Sequence, residues 1–154
     1  MARDRGISVV FQELSLIPTL SVTANIFLGR EELRAGLLNE RHMDAEAIGL
    51  FLKLGISLNP RALVANLSRA EQQMVEIAKA LQSKPRLLIL DEPTTAFTGV
   101  ETERLFSIVA HLKGEGTSII YITHRMAEIK AIGDRISVLR DGRLIATRTR
   151  CRYR

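Results

Sequence analysis

The chain has one cysteine, Cys151, close to its end, which excludes an internal disulfide framework and any cysteine-based metal site. It has no tryptophan, five phenylalanines and two tyrosines. None of these alternates with basic residues, so there is no stacking platform for single-stranded nucleic acid. Long apolar runs are missing too: the longest span four or five residues, far below the roughly 20 that a membrane helix needs. After Met1-Ala2-Arg3-Asp4-Arg5-Gly6 comes a short apolar strand with no long h-region, so a cytoplasmic location is expected. Positive charge is in excess only locally. Residues 140–154 hold six arginines against Asp141, which accounts for the whole net charge of +5, and residues 1–139 are neutral. A domain that docks on phosphate backbones carries a basic face, so no nucleic-acid partner is expected and residues 147–154 read as a basic tail.

What is present is a composition of 46% hydrophobic and 25% charged residues in 154, enough for one α/β domain with a real core. Its most informative stretch is Leu87-Leu88-Ile89-Leu90-Asp91-Glu92-Pro93-Thr94. Four apolar residues followed by two carboxylates read as a buried strand that delivers acids to the edge where open α/β sheets bind ligands. There Asp91 suits Mg²⁺ and Glu92 is placed to take a proton from water. The plainer alternative is a strand that ends in a charged turn.

Around this stretch the chain alternates. Gly6 to Phe11 is a short β-branched strand ending at Gln12-Glu13, where the Gln12 amide either meets a cation or water or is an ordinary loop residue. Residues 14–66 read as a mostly helical insertion without strand period, with a helix end at Leu28-Gly29-Arg30-Glu31, a polar loop from Arg30 to His42 and a helix from Asp44 to Gly55. Ser68 and Glu71 form a capping box that opens the most regular helix, whose apolar face is Met74, Ile77, Ala78 and Leu81. That N-terminus is simply capped or is an anion site. Thr98 and Glu101 make a second capping box. Thr117 to Thr123 reads as another buried strand, with His124 at its end, placed to hydrogen-bond a phosphate or water or else satisfied locally. His42 and His111 have no evident partners. Arg135 to Leu139 and Arg143 to Ala146, joined by Asp141-Gly142, predict a β-hairpin. The strand-helix-strand order from Leu87 to Ile122 predicts a parallel sheet.

Taken in order and spacing, Gln12, the helical insertion, Leu67-Ser68-Arg69-Ala70-Glu71-Gln72-Gln73, Asp91-Glu92 and His124 resemble the ATP-binding-cassette ATPases, from about Gly6 to Ala146. More narrowly, Phe11-Gln12-Glu13-Leu14, Asn25-Ile26-Phe27-Leu28-Gly29-Arg30-Glu31, Gln72 to Leu81 and Thr123-His124-Arg125-Met126 are similar to the first cassette of the bacterial ATPases that power monosaccharide import (ribose, galactose or xylose type). The resemblance implies a P-loop NTPase-like fold: a mostly parallel sheet with a helical insertion subdomain, incomplete at the N-terminus. It implies a partial domain over 1–146, with 14–84 as the helical subdomain and 85–146 running from the acidic strand to the terminal hairpin. It further implies ATP and Mg²⁺ as cofactors. Asp91 and Gln12 would meet Mg²⁺, Glu92 would be the base, and His124 and Gln12 would act with it. Ser68, Arg69, Ala70 and Glu71 would be the signature offered to ATP on an opposing cassette, and Thr95-Ala96-Phe97-Thr98 the D-loop. The implied partners are a second cassette, a membrane permease and, indirectly, a sugar-binding protein. The implied location is the inner face of the cell membrane.

Three departures from the family pattern stand out. Arg69 and Ala70 replace the usual two glycines of the signature, and a long side chain at position 69 would crowd a phosphate. Thr98 replaces the usual aspartate of the D-loop. No Gly-x-x-x-x-Gly-Lys-Ser/Thr occurs, since Gly114-Glu115-Gly116-Thr117 lacks the lysine and follows a helix. The chain is therefore expected to show no ATPase activity alone and to expose apolar surface near Val9, Ile89 and Ile120. Besides the transport ATPase, two other readings are open: a non-catalytic partner that offers its signature helix in trans, and a soluble cassette acting on nucleic acid or the ribosome, against which the neutral body stands.

Overall fold

The computed structural model describes residues 5–34 and 36–149, arranged as two compact units that divide after Ile122. In the first unit, strands β1 (Ile7–Val10), β4 (Leu87–Asp91) and β5 (Ser118–Ile122) form a parallel sheet in the order β1-β4-β5. Helices α1 (Val22–Ile26), α2 (Glu40–Leu54) and α3 (Arg69–Gln82) lie between β1 and β4 in sequence, and α4 (Gly99–Gly114) lies between β4 and β5. The expected strand-helix-strand order and parallel pairing are both present.

Register explains how the sheet is wetted. Val10 pairs with Leu90 and Leu90 with Tyr121, while Val9 pairs with Ile89 and Ile89 with Ile120. Successive side chains point to opposite faces. Val10 and Leu90 are fully buried and Tyr121 half-buried, whereas Val9 and Ile89 are half-buried and Ile120 is 47% exposed. One face is thus covered and the other is open, along the Val9-Ile89-Ile120 row that was expected to be exposed. Strand β5 departs from the expectation of a buried strand: none of its five residues is buried. Among the described residues it pairs with β4 alone, and unlike β1 at the other edge, which buries Ser8 and Val10, it is left largely open to solvent.

The helical part differs from the sequence reading in three places. The first helix, α1, stops at Ile26, and Gly29 follows in a turn at φ 75° rather than closing the helix. Between Arg30 and His42 the chain is not all loop: β2 (Leu33–Arg34) and β3 (Leu37–Leu38) pair antiparallel, two residues each and with exposed leucines, too short for a periodic signal. Helix α2 begins at Glu40, so His42 is helical rather than in a loop. Helix α3 matches its expected face, with Met74, Ile77, Ala78 and Leu81 all buried.

The second unit holds helix α5 (Met126–Ile132) and the antiparallel hairpin β6 (Arg135–Arg140) and β7 (Arg143–Thr149). Asp141 and Gly142 have φ of 50° and 73°, the two positive values that a type I′ turn requires. Strand β7 runs to Thr149, three residues past the expected end. The rest of the Arg-rich tail, Arg150 to Arg154 with Cys151, lies outside the described residues. Among the described residues, no helix is long and apolar enough to cross a membrane.

Candidate functional site

The acids stand where their strand delivers them. Asp91 is the last residue of β4, half-buried, and alternation puts it on the open face with Leu87 and Ile89. Glu92 follows at φ 45°, a left-handed conformation that costs a non-glycine residue free energy. Its N–H donates to the Ile122 carbonyl at 3.0 Å, which ties the turn to the end of β5. Such strain clusters at functional sites because surrounding structure must hold it in place. Gln12 is exposed, two residues past Val10 as Glu92 is two past Leu90. Paired strands therefore bring Gln12, Asp91 and Glu92 to one carboxyl edge. A carboxylate with an amide beside it is an all-oxygen donor set of the kind Mg²⁺ accepts when phosphates complete the shell, so the residues present fit that ion.

The loop after Gln12 is fastened to α3. Ser15 donates its hydroxyl to Glu76 Oε1 at 2.5 Å, and Lys79 Nζ reaches Ser15 Oγ at 3.1 Å. Glu76 is 6% exposed, and its other carboxylate oxygen, like the Gln73 side-chain nitrogen, is buried with no hydrogen-bond partner among the described residues. Further along, fully buried Asn25 accepts from the Ile17 N–H at 2.7 Å and donates to the Ile17 and Ser21 carbonyls at 3.0 Å each. Sequence reasoning missed Glu76 and Asn25. One helical turn from Glu76 lie Gln72, Gln73 and Lys79, a polar surrounding that reads as a solvated face, and nothing in composition marks a polar residue as buried.

The signature candidates lie elsewhere. Ser8 meets Ser83 at 2.9 Å and Ser15 meets Glu76, so the chain beyond β1 runs back along α3 toward its start. Ser68 opens that helix eight residues before Glu76, about 12 Å of helix further on. Its hydroxyl accepts from the Glu71 N–H at 3.2 Å, and the Glu71 carboxylate accepts from the Ser68 N–H at 2.8 Å, the expected capping box. Arg69 is exposed, and its guanidinium donates to the Gln72 side-chain oxygen at 3.4 Å. Ala70 is half-buried in the first turn.

Thr95 to Thr98 leave the sheet edge in tight turns, with the Thr95 N–H bonded to the Glu92 carbonyl at 3.3 Å and the Phe97 N–H to that of Thr94 at 3.1 Å. Thr95, Ala96 and Thr98 are exposed and Phe97 half-buried. Glu101 accepts from both the Thr98 N–H, at 2.7 Å, and its hydroxyl, at 2.8 Å. These donors, the backbone N–H first, hold the Glu101 carboxyl below its ordinary value of 4.5. His124 is exposed and belongs to the second unit.

A family model described as "ABC transporter" matches residues 2–95, more than half of the chain. The chain belongs to the ABC transporter family. Among relatives of this ABC transporter chain, the ribose import ATP-binding protein RbsA 1 of Streptomyces avermitilis is 48% identical over 140 residues, 91% of this chain and 27% of that protein. The ribose import ATP-binding protein RbsA of Geobacillus kaustophilus is 49% identical over 149 residues, 96% of this chain and 30% of that protein. The chain spans less than a third of the length of these ABC transporter relatives. A solved ATP-binding cassette, dimeric and bound to ADP and Pi after hydrolysis, is similar at a TM-score of 0.81 and 25% identity, over 96% of this chain and 64% of that one. The α/β cassette fold and the family read from the sequence are both met.

Proposed function

We propose that this chain is part of the ATP-hydrolysing cassette of a sugar importer, a cassette that as a whole couples Mg-ATP hydrolysis to carbohydrate transport. The observation that carries the proposal is the carboxyl edge of the sheet, where Asp91, the strained Glu92 and Gln12 stand at or just past the ends of two paired parallel strands. Mg²⁺, when bound with ATP, offsets the charge of the phosphates. In this reading Asp91 offers its carboxylate to the ion and Gln12 its amide oxygen. Glu92 takes the proton of the attacking water, and His124 stabilises charge on the transferring phosphate. Ser68, the N–H groups of Arg69 and Ala70, and Glu71 face ATP held by an opposing cassette, and Thr95 to Thr98 line that junction. The sugar branch follows from the ribose import proteins to which nearly the whole chain is similar. A second cassette and a membrane permease are then the direct partners, with a sugar-binding protein reached through the permease. The cassette would sit on the cytoplasmic face of the membrane.

A second reading rests on α3, whose capped N-terminus at Ser68 lies about 12 Å of helix past Glu76: in it the chain acts in trans on a nucleotide bound elsewhere. Calorimetry of Mg-ATP binding to the purified chain, beside an Asp91→Asn variant, separates the two. Saturable binding lost in Asp91→Asn supports the enzyme component. Nucleotide-dependent association with an intact cassette, without such binding, supports the trans partner. The absence of both overturns the proposal.

A further inference from the structure

Glu32, just before β2, meets His42 and Glu46 from the first two turns of α2. One ligand atom from each of the three lies within 4.8 Å of the other two, and His42 Nδ1 is 2.7 Å from Glu32 Oε2. His42 and Glu46 share one helix face by their i, i+4 spacing. The neighbouring acid on this helix is engaged elsewhere, since Asp44 accepts from Thr23 Oγ1 and Arg61 Nε, both at 2.8 Å.

We propose that Glu32, His42 and Glu46 form a Zn²⁺ site. Tetrahedral zinc takes imidazole nitrogen and carboxylate oxygen at about 2.0–2.2 Å, which sets donors about 3.3 Å apart. Small rotations of three half-exposed side chains bring these atoms to that spacing. His42 ligates through Nδ1 as the neutral imidazole with its proton on Nε2, so zinc replaces the hydrogen bond to Glu32. Two carboxylates match the charge of the dication, and the fourth position is left to water. The imidazole argues against Mg²⁺ and Ca²⁺, which prefer oxygen alone. A bound ion ties the chain before β2 to α2 and thereby braces the β2–β3 hairpin.

The molecule contains its own control. His111 near the end of α4 and Glu115 just past it repeat the i, i+4 spacing at 3.4 Å and belong to no three-ligand group among the described residues. Equilibrium dialysis against Zn²⁺ should be run on the full chain carrying Cys151→Ser, which removes the thiol as a competing ligand. The expected result is one Zn²⁺ per chain, undiminished by excess Mg²⁺. His42→Asn and Glu46→Gln should each weaken binding at least about tenfold, while His111→Asn leaves it unchanged and circular dichroism of all variants is the same. No stoichiometric binding, or equal loss in His42→Asn and His111→Asn, would overturn the site.

Discussion

Glu92 is a carboxylate on a backbone that favours glycine, so two demands meet at one residue. Replacing it by glycine removes the side chain and relieves the φ of 45°, whereas alanine removes the side chain alone. Glu92→Gly should therefore exceed Glu92→Ala in stability by about 1–2 kcal/mol in urea unfolding, and equal stabilities would show that the turn stores no strain. Glu101 makes a pH-dependent contribution of known sign. Its folded pKa is depressed by the Thr98 donors, so its stabilisation is complete above the unfolded value and is lost as pH falls through the folded one. The difference in melting temperature between the parent chain and Glu101→Gln should be constant near neutral pH and vanish below the ordinary carboxylate range. A difference that persists at pH 2 would refute this.

At the scale of elements, β5 is the strand of the parallel sheet that has no buried residue. Its outer edge is unpaired within the sheet, and Ile120 and Ile122 are each 47% exposed. Open apolar edges template association, so Ile120→Lys should lower self-association in sedimentation velocity while the melt stays cooperative. An unchanged sedimentation profile would exonerate β5. What the sequence made legible follows the same logic. Strand β4 is readable because four apolar residues end abruptly in two acids. Helices α3 and α4 are readable because Ser68 with Glu71 and Thr98 with Glu101 cap them, and the β6–β7 turn because Asp141-Gly142 has one favoured geometry. The hairpin of Leu33 to Leu38 and the seven-residue α5 are too short for periodicity. The exposure of β5 depends on which strand lies beside it, which no local pattern encodes. At the candidate site, Asp91 and Glu92 were visible as a strand end, but Glu76 and the pairing of His42 with Glu32 depend on segments that meet only after folding.

For the molecule as a whole, the carboxyl edge supplies acids and an amide without a glycine-rich loop and lysine in the sequence to cradle phosphates. A base contributes about 10²–10⁴-fold, and only to a substrate already held. Purified chain is thus expected to show no ATP turnover that Glu92→Gln abolishes, as measured by phosphate release. Turnover lost in that variant would mean that the edge holds phosphate by other means.

The order of the central sheet also sets a schedule for synthesis. Among the described residues β1 pairs with β4 alone, Ile7 opposite Leu87, so about eighty residues must be made between β1 and this neighbour. At ribosomal speeds of about 5–20 residues per second that interval lasts about 4–16 s. Throughout it the nascent chain carries Val9, Val10 and Phe11 without their partner strand. The intervening helices can form within microseconds and wait beside it. Slow codons between Ser68 and Leu87 would lengthen this vulnerable interval, and a chaperone that shields short apolar strands would be needed most there.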